Sequence, residues 1–168
     1  MNFADWPKED LVKYLDFLMM NYRTMDAFWF INLENRHGLD EACLVNELVW
    51  GKVSALAARD LKERFNLGEK GLKGFLKAQL MFPWAYLVGY EFRQGEDELV
   101  LEVPCCPAQD GRVKHGLGEY PCKAMHQAEF EGFAHEIDPG IKVECIFAPP
   151  DEHPPDMHCR WRFSMADQ

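Results

Sequence analysis

Basic residues are scarce: 18 Lys and Arg stand against 28 Asp and Glu, a formal net charge of −10. A field of that sign repels phosphate backbones and anionic membrane surfaces, so no nucleic-acid partner is expected. Long apolar runs are missing too. The longest nearly apolar stretch, Ala78 to Tyr90, holds Gln79 and is broken by Pro83 and Gly89, well short of the roughly 18 to 20 residues that span a bilayer, so no membrane partner is expected. Met1 to Asp10 lacks the basic start and apolar core of a signal peptide, which leads to the expectation of a cytoplasmic protein with reduced thiols. No C-x-x-C pair occurs, which removes the strongest signature of a zinc knuckle. Internal repeats, low-complexity runs and linker-like segments are absent, so residues 1–168 are expected to form a single domain, mainly helical over 1–83 and built over 84–168 from an antiparallel sheet with one central helix.

What remains is a chain of 168 residues, 48% of them hydrophobic, enough for one sizeable core. Leu11, Leu15, Leu18, Tyr22, Met25 and Trp29 recur in steps of three and four, predicting a helix from about Lys8 to Asn35 with that stripe buried, closed by Gly38. A second helix is expected from Asp40 to Phe65 along Leu44, Leu48, Leu56 and Leu61, forming an antiparallel hairpin with the first. A third runs from about Glu69 to Phe82 and stops at Pro83. Strands follow at Ala85 to Arg93 and Glu98 to Val103, with Gln94 to Asp97 as the turn. Pro104 to Gly118 reads as a loop, and Pro121 as the first turn of a helix ending near Ile137. Two more strands, Ile141 to Phe147 and Met157 to Ser164, are joined by the proline-rich Ala148 to Asp156. The fold class is therefore α+β: long N-terminal helices, then strand-strand-helix-strand-strand, an antiparallel sheet with helices packed on one face.

Five of the six cysteines lie after residue 104. Period two places Val143, Cys145 and Phe147 on one strand face, and Met157, Cys159, Trp161 and Phe163 on the matching face of its partner. On the intervening helix Cys122, His126, Phe130, Phe133 and Ile137 form an inward stripe, while Glu129, Glu131 and Glu136 read as its solvated side. Cys122 is expected at the second helical position, where free amides and the helix dipole favour a thiolate. Arg112, Lys114 and His115, upstream of Gly116 and Gly118, form a cationic group suited to hold a carboxylate.

Three chemistries fit these residues. A pocket between the central helix and the sheet, lined by cysteine and histidine, binds a small molecule, with or without a metal. Zinc is the leading candidate metal, with ligands drawn from Cys105, Cys106, Cys122, His126, Cys145 and Cys159. Alternatively Cys122 attacks and His126 assists in hydrolysis of an acidic small molecule anchored by Arg112 or Lys114. The plainer alternative is a homodimeric interaction domain whose cysteines are core residues, with the long N-terminal helices, Phe28, Trp29 and Phe30 among their residues, as the dimer surface.

The helix opening Pro121-Cys122 and closing Phe133-Ala134-His135-Glu136-Ile137-Asp138-Pro139, followed by Ile141 to Ile146 and by His158-Cys159-Arg160-Trp161-Arg162-Phe163, resembles the L-2-amino-thiazoline-4-carboxylic acid hydrolase-like family over about residues 84 to 164. The two hairpins around a helix are also similar to the 4-vinyl reductase and TRAPP-type ligand-binding domains. The hydrolase resemblance implies opening of a small sulfur-nitrogen ring acid, with Cys122, Cys145 and Cys159 as the matching positions. The TRAPP-type resemblance implies ligand or metal binding and a homodimer. The Ala148 to Pro155 loop departs from the family's pattern.

Overall fold

The structure, a computed structural model, describes residues 2–166. After a single 3-10 turn at Phe3–Asp5, two long helices, α1 (Lys8–His37) and α2 (Leu39–Arg64), are joined by Gly38 alone. Gly38 adopts φ +89°, a backbone conformation open to glycine at little cost, and its N–H closes α1 on the Glu34 carbonyl. Trp50 on α2 donates its Nε1 proton to Asp26 on α1 at 3.2 Å. Those two residues are equidistant from Gly38 in the sequence, the relation an antiparallel hairpin produces. None of the helices is long and apolar enough to cross a membrane among the described residues.

The short helices α3 (Gly71–Gln79) and α4 (Pro83–Val88) lead to the hairpin β1 (Glu91–Gln94) and β2 (Glu98–Val103). Helix α5 (Pro107–Lys114) and helix α6 (Lys123–Ile137) precede β3 (Ile141–Phe147) and β4 (Cys159–Met165). The four strands form one antiparallel sheet in the order β1-β2-β4-β3. The expected α+β architecture is present, with helices over one sheet face.

That covered face carries Leu99, Leu101, Val103, Cys159, Trp161 and Phe163, all buried. Phe130, Phe133 and Ile137 of α6 and Phe75 of α3 fill the space above it, and Phe75 meets Phe163 at a ring-centroid distance of 4.5 Å. The opposite face is polar: Glu102 bridges Arg93 at 2.7 Å and Arg160 at 2.7 Å, and Arg162 bonds Glu144 at 3.0 Å. Helix α6 is held on its other side by α2 at very close range. A Cβ on Gly132 would stand 2.6 Å from the Gly51 carbonyl oxygen and 3.0 Å from Ser54 Oγ, and one on Gly51 would stand 3.2 Å from Ala128 Cβ. Small residues on both helices are what permit this contact.

Several local expectations are corrected. Ala85 to Val88 is helical rather than strand, because Pro83 starts a helix as its first residue and Gly89, at φ +76°, ends it. Pro107 likewise opens α5 inside the segment expected to be loop. The α1 stripe of Leu15, Leu18, Tyr22, Met25 and Trp29 is exposed, as are Leu44, Leu48 and Leu56 of α2. The inner side of α1 instead carries the half-buried Arg23, Asp26, Phe30 and Glu34. A register shift between Cys145 and Phe147 sends Phe147 to the polar face, where the Arg160 guanidinium lies 5.4 Å from its ring centroid.

Candidate functional site

The N-terminal end of α6 is flanked by α1, α2, α4, α5 and Tyr90 of the α4–β1 connection, and a cavity of about 400 Å³ opens between these elements. Its wall is mostly apolar, with Phe30, Trp50, Trp84 and Tyr90 prominent, and its polar atoms come from a few side chains. The cavity lies on the α1/α2 side of α6, not between α6 and the sheet as expected. Phe130, Phe133, Trp161 and Phe163 already fill the sheet side, where a void of about 20 Å³ remains.

Cys122 is the N-cap of α6, not its second helical residue as expected, yet is still helical in its backbone angles, and its side chain is buried. Its carbonyl accepts from the His126 amide at 3.0 Å, which sets the two side chains one turn apart on the same face. Three residues further on, Glu129 places Oε2 2.8 Å from His126 Nδ1. The solvated position expected for Glu129 is corrected: it is 2% exposed and lines the cavity. Its other oxygen, Oε1, is buried with no hydrogen-bond partner. Burial works against a charged imidazole, but the neighbouring Cys122 and Glu129 side chains outweigh it and hold the His126 pKa well above 6.5. Cys122, His126 and Glu129 thus form a thiol, imidazole and carboxylate series along one helix face.

Gln109 on α5 completes the thiol's surroundings. Its Nε2 donates to Tyr120 O at 2.7 Å and to Cys122 Sγ at 3.4 Å, while its Oε1 accepts from the Tyr120 amide at 2.8 Å. The amide is therefore fixed with a donor directed at the sulfur. Asp26 lines the same cavity, and burial pushes its carboxyl from 3.8 up to about 6, with the Trp50 hydrogen bond opposing and the charge of Glu129 adding. Arg23, also in the wall, makes no ion pair among the described residues.

The expected carboxylate anchors are placed differently. Arg112 lines the cavity, but its guanidinium is taken by Glu34 of α1 at 2.5 and 3.0 Å and by the carbonyl of Gly118 at 3.3 Å. It fastens α5 to α1 instead of presenting a free charge. Lys114 is exposed and outside the cavity wall; His115 is exposed at its edge.

The six-residue zinc set does not converge. Cys105 is exposed, and Cys145 sits on β3, where burial raises its thiol to about 11. Cys106, Cys122, His126 and Cys159 do share the lining of the 20 Å³ void. Among the described residues, however, no three donor atoms of this set come within 4.8 Å of one another. Burial also raises the thiols of Cys106 and Cys159.

Gln109, Glu129, Arg23 and Asp26 are site residues that sequence reasoning misses. Glu129 has a signal, since it lies seven residues from Cys122 and three from His126 and so shares their helical face. The other three come from distant segments.

The family of unknown function DUF6125 matches residues 4–165, a span that includes every side chain of the cavity, and the chain belongs to that family. No curated protein matches it.

Proposed function

We propose that this family member binds a small amino-acid-like acid in the cavity and cleaves it hydrolytically, with Cys122 as nucleophile. The observation that carries the reading is the Cys122, His126 and Glu129 series opening onto a partly open, mainly apolar cavity of about 400 Å³, a size suited to a small organic ligand. Sγ forms a bond to an electrophilic carbon, the carbon–nitrogen or carbon–sulfur bond breaks, and the His126 proton passes to the leaving atom. Water then cleaves the acyl-enzyme or its amidine-like equivalent and restores the thiol. Gln109 Nε2 is placed to donate to the charge that develops beside Sγ. Arg23 supplies a cation for a carboxylate, and Asp26 and the unpartnered Glu129 Oε1 supply acceptors for an ammonium or ring N–H. This donor and acceptor pattern, with the resemblance of residues 84 to 164, favours a ring such as an amino-thiazoline acid as substrate.

The test is incubation of the protein with 2-amino-thiazoline-4-carboxylate, with ring opening read by mass spectrometry as the hydrated open-chain product, which forms whether the carbon–sulfur or the carbon–nitrogen bond breaks. Turnover that disappears in Cys122→Ala supports the reading. Turnover retained in that variant overturns the nucleophile. An unreactive wild type that also takes up no small chloroacetamides at Cys122, read by intact mass, overturns the site.

We also propose that a second copy of the chain covers α1. No residue of this 30-residue helix is buried, and Leu15, Met25, Phe28 and Trp29 stand exposed along it.

A further inference from the structure

Away from the cavity, Glu119 on the α5–α6 connection meets two histidines of the β3–β4 loop. His153 Nε2 lies 3.1 and 3.2 Å from the two Glu119 oxygens, and His158 Nδ1 lies 3.8 Å from Glu119 Oε1. One donor atom from each residue falls within 4.8 Å of the others, the one such group of His, Cys, Asp and Glu side chains among the described residues. Donor atoms bound to a tetrahedral zinc at about 2.0 to 2.1 Å stand roughly 3.3 Å apart, so these separations need only small side-chain adjustments to close on an ion.

The far side of each ring is also arranged as metal-binding histidines require. His153 Nδ1 lies 3.0 Å from the Pro154 carbonyl oxygen, and His158 Nε2 lies 3.1 Å from Asp110 Oδ1. A carbonyl or carboxylate there accepts a hydrogen bond from the ring N–H, which keeps the proton on that nitrogen, leaves the lone pair on the other and fixes the plane of the ring. In both residues that other nitrogen points at Glu119. His158 Nδ1 is moreover buried with no hydrogen-bond partner, an independent sign that its natural partner is of another kind.

We propose that Glu119, His153 and His158 bind a divalent transition metal, zinc or an ion of similar chemistry, with Asp110 orienting His158 from behind. Two imidazoles and one carboxylate suit such an ion, and three protein donors leave a position for water. The ion ties the α5–α6 connection to the β3–β4 loop. Its neighbours in sequence are the residues around the thiol: Glu119 precedes Tyr120, Asp110 follows Gln109, and His158 precedes Cys159. The role assigned to the metal is therefore to hold Gln109, Tyr120 and the start of α6 in place. The site is separate from the cysteine set and independent of the hydrolytic reading.

The full chain is titrated with Co2+ near pH 8, where imidazoles compete well for the ion, and its zinc content is measured after dialysis. The expected result is a single ion per chain, with visible bands of nitrogen and oxygen coordination and no near-ultraviolet thiolate band. His153→Ala, His158→Ala and Glu119→Gln lose it, and Asp110→Asn binds about 10- to 100-fold more weakly. Glu119→Gln replaces an exposed side chain by an isostere and keeps the fold, so its loss of metal is not a loss of structure. Three results overturn the proposal: no tight binding by the wild type, affinity unchanged in Glu119→Gln and His158→Ala, or a thiolate band that vanishes with a cysteine substitution. In the last two cases the ion is held elsewhere; in the first, the cluster is an ordinary ion pair.

Discussion

His126 Nδ1 stands 2.8 Å from Glu129 Oε2, in a pair that links the imidazole beside Cys122 to a carboxylate that is 2% exposed. Because the folded His126 pKa is raised above 6.5, the stability this contact contributes is full below that value and is lost as pH rises through the folded pKa. Glu129→Gln is therefore expected to cost about 1 to 3 kcal/mol near pH 6 and less at a pH above the folded His126 pKa, and to lower that pKa. Urea unfolding at the two pH values and an NMR titration of the imidazole measure both effects. A pH-independent cost would show that the pair carries no linked proton.

Asp26 shows the same direction in an acid: burial raises its carboxyl to about 6 against an ordinary 3.8. The protonated form is the one the fold favours, so stability from this group is present below about pH 4 and is lost as pH rises through 6. Asp26→Asn keeps the acceptor for Trp50 and cannot ionise. It is expected to stabilise the protein at pH 7 by at most about 3 kcal/mol, from roughly two pKa units, and to have no effect at pH 4. Paired denaturation curves at pH 4 and 7 decide it.

Gly132→Ala places a methyl group 2.6 Å from the Gly51 carbonyl oxygen, which is backbone and cannot rotate away. The helices α2 and α6 must separate, at an expected cost of about 1 to 3 kcal/mol. Thermal unfolding measures this, and an unchanged midpoint would mean the helix contact is looser than its geometry.

The exposed α1 stripe predicts self-association. Light scattering is expected to give twice the chain mass for the wild type, and Met25→Asp with Trp29→Asp is expected to give the monomer with its helical signal retained. A monomeric wild type would remove the second copy as the partner.

The two long helices, the hairpins and the central helix are legible in the sequence because each rests on local signals: period two in β2, β3 and β4, Gly38, Gly95 and Asp138-Pro139-Gly140 as punctuation; α4 and α5 are not. The pairing of Cys122 with His126 is legible for the same reason, being one helical turn. Which stripe of α1 turns inward is not, since the apolar residues Leu15, Leu18, Met25 and Trp29 are exposed while Arg23, Asp26 and Glu34 face the fold beside Phe30. Likewise the capture of Arg112 by Glu34 joins residues far apart in the chain, and no spacing rule encodes it. Pro83 and Pro107 read locally as breakers, yet they are the first residues of helices, a distinction set by whether the residues after the proline can carry a helix. The approach of His153 and His158 to Glu119 is set by how the proline-rich loop folds over α5, which period and composition leave open.

The most direct measurement is the rate of alkylation of Cys122 by iodoacetamide at neutral pH, in a Cys105→Ser background that removes the exposed thiol. Cys122 is expected to react more than about tenfold faster than a free thiol, as a thiol paired with an imidazole does, with Cys106, Cys145 and Cys159 unlabelled and His126→Gln slowing the reaction to the free-thiol rate or below. A Cys122 that reacts no faster than a free thiol, or at the same rate with and without His126, would contradict a nucleophilic site at the head of α6.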